Sequence, residues 1–216
     1  MDSAGNSKYI WDFFVERIGN EYGVAALMGN LYAESGLYCD RVQGDIPYSN
    51  YSKEYTAKID SGAITEYQFV NNGPNGGGYG LAQWTWQPRK QALYDMWKTH
   101  GFSSIGSRGL ACEYLWYELQ TDYNGVLNVL RSANSIREAS DKVLHDFENP
   151  ADQSAAVEAT RACFGQYYYN TYHGTEPDPN PDPEPDIPPV NPDPEPGIPV
   201  KRSKLPFLLL WAASRR

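Results

Sequence analysis

At 216 residues, with 41% apolar and 14% aromatic side chains, the chain is excluded from the disordered class and suits one domain plus an appendage better than two full domains. The formal charge of −9 is uneven: residues 175–200 carry 7 acidic and no basic side chains, 201–216 carry 5 basic and no acidic ones, and the remaining body is acidic. An acidic body excludes the basic face of a nucleic-acid-binding protein. The three cysteines, Cys39, Cys112 and Cys163, are odd in number and lack metal-ligand spacing, so they are expected as buried, small apolar residues without a disulfide framework.

No basic stretch followed by an apolar segment opens the chain, so no secretory signal is expected. Ile10, Phe13, Phe14 and Ile18 recur at helical spacing between Ser7, a cap, and Gly19, a stop, which predicts a helix over 8–18. From about Glu21, Val24, Leu27, Met28 and Leu31 form one stripe of a second helix, ended by Ser35 and Gly36. Residues 37–78 lack periodicity and read as a long loop with short strands, a groove wall. Next, the glycines of GYGLAQW, residues 78–84, predict a short β-hairpin.

Helices resume with Pro88 in the first turn of one that bears Leu93, Met96 and Trp97 and stops at Gly101. Cys112, Leu115, Trp116 and Leu119 stripe the next, and Val126, Leu127 and Leu130 a short one. Ser135 and Glu138 form a capping box for a helix with Ile136, Ala139, Val143 and Phe147. Pro150 is expected to open a last helix of about twenty residues, bearing Ala155, Ala159, Ala162, Cys163 and Gln166. The expected fold class is mainly α (α+β), a helical domain over 1–174 with about six helices and a small β-hairpin. The proline-rich acidic linker 175–200 is expected to stay disordered and extended, with a reach of roughly 80 Å. The basic, apolar peptide 201–216 contains a nine-residue apolar run, too short to span a membrane but suited to a membrane surface or a partner protein.

Glu34 lies seven residues after Leu27, which returns it to within about 20° of the same helix face. Burial there would disfavour its charged form, as a general acid working near neutral pH requires. Periodicity by itself favours the other reading, a helix-end carboxylate that reaches solvent. The surrounding motifs shift that balance. MGNLYAESGL at 28–37 and GYGLAQWT at 78–85 resemble the phage tail lysozyme family and, more distantly, goose-type lysozymes and lytic transglycosylases. The likeness continues through RKQAL (89–93), YLWYEL (114–119), SIREASDKVL (135–144) and FENPADQS (147–154), and covers roughly 8–172.

The resemblance implies a lysozyme-like fold and a cofactor-free, metal-free peptidoglycan hydrolase, active in a virion tail during entry or as a lysin made in the host cytoplasm. Glu34 would then protonate the glycosidic oxygen between N-acetylmuramic acid and N-acetylglucosamine. Gly80, Leu81 and Gln83 would line the cleft, and Tyr79 and Trp84 would stack on sugars, although Gln83 equally suits its own turn and Trp84 the core. Asp45, Glu54, Asp60 and Glu66 all lie in the long loop as possible second carboxylates, with Asp60 ranked first and Glu66 second. A transglycosylase that forms 1,6-anhydro products would need none. A non-catalytic tail or wall-binding protein is the alternative from another class. A peptidase pairing Cys39 with His100, His145 or His173 lacks a nucleophile signature, and His100 reads as a core or helix-end residue. Two His at i, i+4 are absent, so a zinc site is unsupported.

Overall fold

A computed structural model describes residues 3–73 and 77–174, so the expectations for 175–200 and 201–216 lie outside the described residues. The described chain is mostly helical, with eight α-helices. Helix α1 (Ser3–Ile18) begins before the expected cap, because Ser7 lies inside it and its hydroxyl bonds Tyr172 Oη at 2.6 Å. Helix α2 (Glu21–Ser35) is capped by Asn20, whose side chain accepts from the Tyr22 amide, and is closed by Gly36 at φ 64°. Its limits match the sequence expectation, but its environment does not. Every residue from Gly23 to Leu31 is buried, so α2 is a central helix covered on all sides rather than a striped surface helix.

Glycines let its neighbours come that close. A Cβ on Gly23 would lie 2.0 Å from the Leu130 carbonyl oxygen, and one on Gly29 would lie 2.4 Å from the Arg161 carbonyl oxygen. These contacts set α6 (Asn124–Ser132) and α8 (Ala155–Tyr172) directly on the α2 backbone.

Residues 37–78 are not the expected loop. They contain α3 (Asn50–Asp60), capped by Ser49, and a π-helical turn at Gln68–Asn72. The buried face of α3 carries Ser52, Tyr55, Thr56 and Ile59, so half of it is polar and the apolar period disappears. The expected hairpin is a single tight turn in which Tyr79 and Trp84 exchange backbone hydrogen bonds of 3.1 and 3.0 Å. Tyr79 also bridges to Val42, and no sheet forms among the described residues.

Helix α4 (Gln87–His100) has Pro88 in its first turn and ends at Gly101, φ 72°, with His100 exposed at its end. Within α4, Lys90 is 1% exposed with its ammonium 4.9 Å from the Phe69 ring centre, and burial pushes its pKa down to about 8. Helices α5 (Arg108–Thr121) and α6 follow, and then α7 (Ile136–Val143). Ser135 caps α7 by accepting from the Glu138 amide, while Glu138 accepts from the Asn134 amide.

A π-helical turn, Leu144–Glu148, continues α7 and is stopped by Asn149 in the left-handed region, φ 44°. Because of that stop α8 starts at Ala155 and not at Pro150. Its inward face is also not the expected one. Arg161, Gly165 and Tyr168 are buried, while Ala155, Ala159, Cys163 and Gln166 are exposed. A face built on an arginine and a glycine has no apolar signal to read. Cys39 and Cys112 are buried as expected, Cys163 is exposed, and all three are free thiols.

Candidate active site

Glu34 occupies the last turn of α2, where Gly36 turns the chain away and leaves the carboxylate 23% exposed. It accepts a 2.5 Å hydrogen bond from Nη2 of Arg161, whose side chain is only 9% exposed. The arginine is held in turn by Asn30, one turn earlier on α2, through contacts of 3.4 Å to its carbonyl and Oδ1. Asn30 donates to Ser140 Oγ at 3.0 Å, so α2, α7 and α8 are tied at one point. On the other side Arg41 donates to the Ser35 carbonyl at 2.9 Å, a cation set on the C-terminal end of the α2 dipole.

A second carboxyl group stands behind this pair. Glu148 ends the π-helical turn, a geometry that often marks functional positions. The residue is partly exposed, yet its Oε1 is shielded and has no hydrogen-bond partner. The charges facing it are Glu34, Arg161, Arg89 and Glu118. Burial, and then the Glu34 charge, hold the Glu148 carboxyl well above the usual carboxylate range.

Beyond it Arg89 on α4 grips Glu118 on α5 in a bidentate pair, 2.5 and 2.9 Å, and sits 4.9 Å from the Phe147 ring centre. Glu118 is 2% exposed and also accepts from Trp84 Nε1 at 2.8 Å.

The residues of the GYGLAQW turn support this cluster from beneath. Tyr79, Leu81 and Trp84 are each 0% exposed, with Tyr79 Oη bonded to Thr56 Oγ1 at 2.7 Å. The expectation that Tyr79 and Trp84 stack on sugars and that Leu81 lines a cleft is therefore corrected: the turn folds inward and buries these side chains. Gly80 is buried too, at φ 78°, and a Cβ there would meet the Trp84 ring at 3.0 Å. Gln83 is part-buried at φ 46° and spends its amide hydrogens on the Arg41 and Gly80 carbonyls, 3.1 and 2.9 Å away, the turn-satisfying alternative.

Asp60 accepts from the Ile105 amide at 2.9 Å, and exposed Glu66 accepts from Gln91 at 2.8 Å. Neither bonds to Glu34 among the described residues. His145 bonds Gln153 and Glu158, and His173 bonds Glu21, so neither imidazole is paired with the buried Cys39. Two concavities of about 420 and 190 Å³ open elsewhere, the larger lined by Met96, Phe102 and Trp116 and the smaller by Asn6, Asp40 and Ser104. Neither hollow is lined by Glu34, Arg161 or Glu148.

Arg89, Glu118 and Glu148 were present in the RKQAL, YLWYEL and FENPADQS strings without a role, whereas Arg161 carries no local signal at all. The fold and the cluster together define a helical domain with an acidic group at the end of its central helix. The chain matches the phage tail lysozyme family over residues 5–172 and belongs to it. No curated protein and no solved structure matches it.

Proposed function

We propose that this domain is a peptidoglycan hydrolase that cleaves the β-1,4 bond between N-acetylmuramic acid and N-acetylglucosamine, with Glu34 as general acid. The observation that carries the reading is the placement of Glu34, part-exposed at the end of a buried helix and aligned by Arg161. A carboxyl group so placed reaches a glycosidic oxygen on its exposed side while its inner side is fixed, and proton transfer from a positioned group supplies about 10²–10⁴-fold in rate. Family membership supports the substrate class and a place in a virion tail. Asp60 and Glu66 are engaged elsewhere and have no part in this reading.

One observation favours the transglycosylase variant of the same reaction. The carboxyl group that faces Glu34 from within is Glu148, whose Oε1 is shielded from solvent and thus poorly placed to activate a water. Mass spectrometry of muropeptides released from purified walls decides between the two. Hydrolysis gives reducing N-acetylmuramic acid ends, and a product set dominated by 1,6-anhydro sugars overturns the hydrolase reading. Failure to clear walls in a zymogram across several bacterial sources would instead indicate a wall-binding or structural protein.

The segments after Gly174 are assigned a positioning role, with 201–216 directed to a membrane surface or a virion protein. Truncation after Gly174 is expected to leave cleavage of soluble wall fragments within about two-fold of the full chain, because the carboxylates lie within the folded domain. Whole-cell lysis or incorporation into particles should fall. Loss of activity on soluble fragments by a folded truncate would refute this division.

A further inference from the structure

One side of α5 is left out of the core without being a plain solvated face. Glu113, Trp116, Tyr117 and Gln120 recur at i, i+3, i+4 and i+7, so they line up along that side of the helix. Met96 and His100 stand one turn apart on α4, and Phe102 lies in the connection between the two helices. Together these side chains line the larger hollow, about 420 Å³. Sites for small ligands run to roughly 300–1,000 Å³ and combine aromatic walls with a few polar groups.

The walls are fixed by their own neighbours. Trp97 Nε1 donates to the Phe102 carbonyl at 2.9 Å, and a Cβ on Gly109 would touch the Phe102 ring at 3.4 Å. The Met96 carbonyl can only accept, so Nδ1 of His100, 3.1 Å away, carries the proton and Nε2 of the neutral ring is an acceptor. Neither that Nε2, nor Glu113 Oε2, nor the Gln120 amide has a hydrogen-bond partner among the described residues. Tyr117 is 48% exposed, so its ring is open to a ligand.

Charge narrows the choice of occupant. Arg17 already reaches Glu113 Oε1 at 3.3 Å, and the Arg131 guanidinium stands 5.7 Å from the Trp116 ring centre. A cation would therefore meet a carboxylate that is answered, whereas a purely apolar segment would cover the polar groups without bonding them. A neutral sugar satisfies both conditions. Its C–H face packs on an aromatic ring, and its hydroxyl and N-acetyl groups supply hydrogen bonds to the polar side chains. We propose that the hollow between α4 and α5 binds a short segment of N-acetylated wall glycan, separately from the cleavage site at Glu34. The proposal rests on wall glycan as the substrate of the domain. Since Glu34 does not line the hollow, this site holds the strand without cutting it, and a second anchor raises the local concentration of wall around the acid.

The test is an NMR titration of the full-length Glu34→Gln protein with the β-1,4-linked tetramer of N-acetylglucosamine. The Trp116 indole N–H and the Gln120 side-chain amide should shift, and Tyr117→Ala should weaken that binding about five- to tenfold. With Glu34 restored, Tyr117→Ala should cleave soluble wall fragments within about two-fold of wild type but insoluble walls at least about threefold more slowly. If Tyr117→Ala melts early, exposed Gln120→Ala supplies the same comparison. Shifts that are absent at these two residues, or that neither substitution weakens, would overturn the proposal. A response of the same resonances to tetramethylammonium or to a synthetic 201–216 peptide, with none to the tetramer, would also overturn it by assigning the hollow to a cation or to the chain's own terminal segment. A wild-type protein that binds the tetramer here yet cleaves no wall would remove the proposed function and leave this site, so the two failures are distinct.

Discussion

Replacement of Glu34 by glutamine is expected to lower wall cleavage at least about 10²-fold while leaving the domain folded. The amide keeps the shape of the side chain, and its oxygen still accepts from Arg161, now at 2.5 Å. What it lacks is a proton that it can give to a leaving oxygen. The measurement is initial release of reducing ends from purified walls, with circular dichroism and a melting curve as controls on the fold. Activity within a few-fold of wild type, in protein that melts normally, would remove Glu34 from the acid role.

The second large effect is expected at a helix crossing, from a residue that carries no charge itself. Gly29→Ala would place a methyl group 2.4 Å from the Arg161 carbonyl oxygen and 2.5 Å from the Gly165 nitrogen, both backbone atoms that no rotamer change can move. Accommodation requires α2 and α8 to part, so a loss of about 3 kcal/mol is expected, at the upper end of overpacking costs. For a domain of this size that is a fall of roughly 6–12 °C in melting midpoint. The same shift would draw Arg161 away from Glu34, and activity should drop even where the variant remains folded. Gly125→Ala in α6 is the internal control, because a Cβ there meets nothing within 4 Å. It is expected to be neutral or stabilising by up to about 1 kcal/mol. Equal melting midpoints for the two variants would show that the α2–α8 crossing is looser than the structure describes.

Individual elements show why part of this was legible in advance. The second helix was readable because Gly36 is a left-handed stop and the apolar residues before it are dense, both of which are features of a few consecutive residues. The α4 boundaries followed from Pro88 and Gly101, and the α7 start from Ser135 and Glu138, for the same reason. Helix α3 was missed because Ser52 and Thr56 occupy its buried face, where their hydroxyls bond Asp45 and Tyr79. The face of α8 was misread because the crossing requires Gly165 and the site requires Arg161, so the residues that matter most there are not apolar. Tyr79 and Trp84 look like sugar-stacking residues in a glycine-rich string, and only the inward fold of the turn buries them.

By itself the sequence determined the family and most helix limits, and it singled out Glu34 as the candidate acid, because caps, stops and apolar periods act over a single turn or two of chain. It also marked residues 175–216 as compositionally separate from the domain. The partners of the acid were decided only by tertiary structure. Arg161 is 127 positions from Glu34 and meets it because two glycines allow α2 and α8 to touch backbone to backbone. Glu148 joins them because Asn149 stops a π-helical turn at that residue. The energy of a charge cluster depends on distances and on exclusion of water, and both are set by helix packing, which no local stretch of residues encodes.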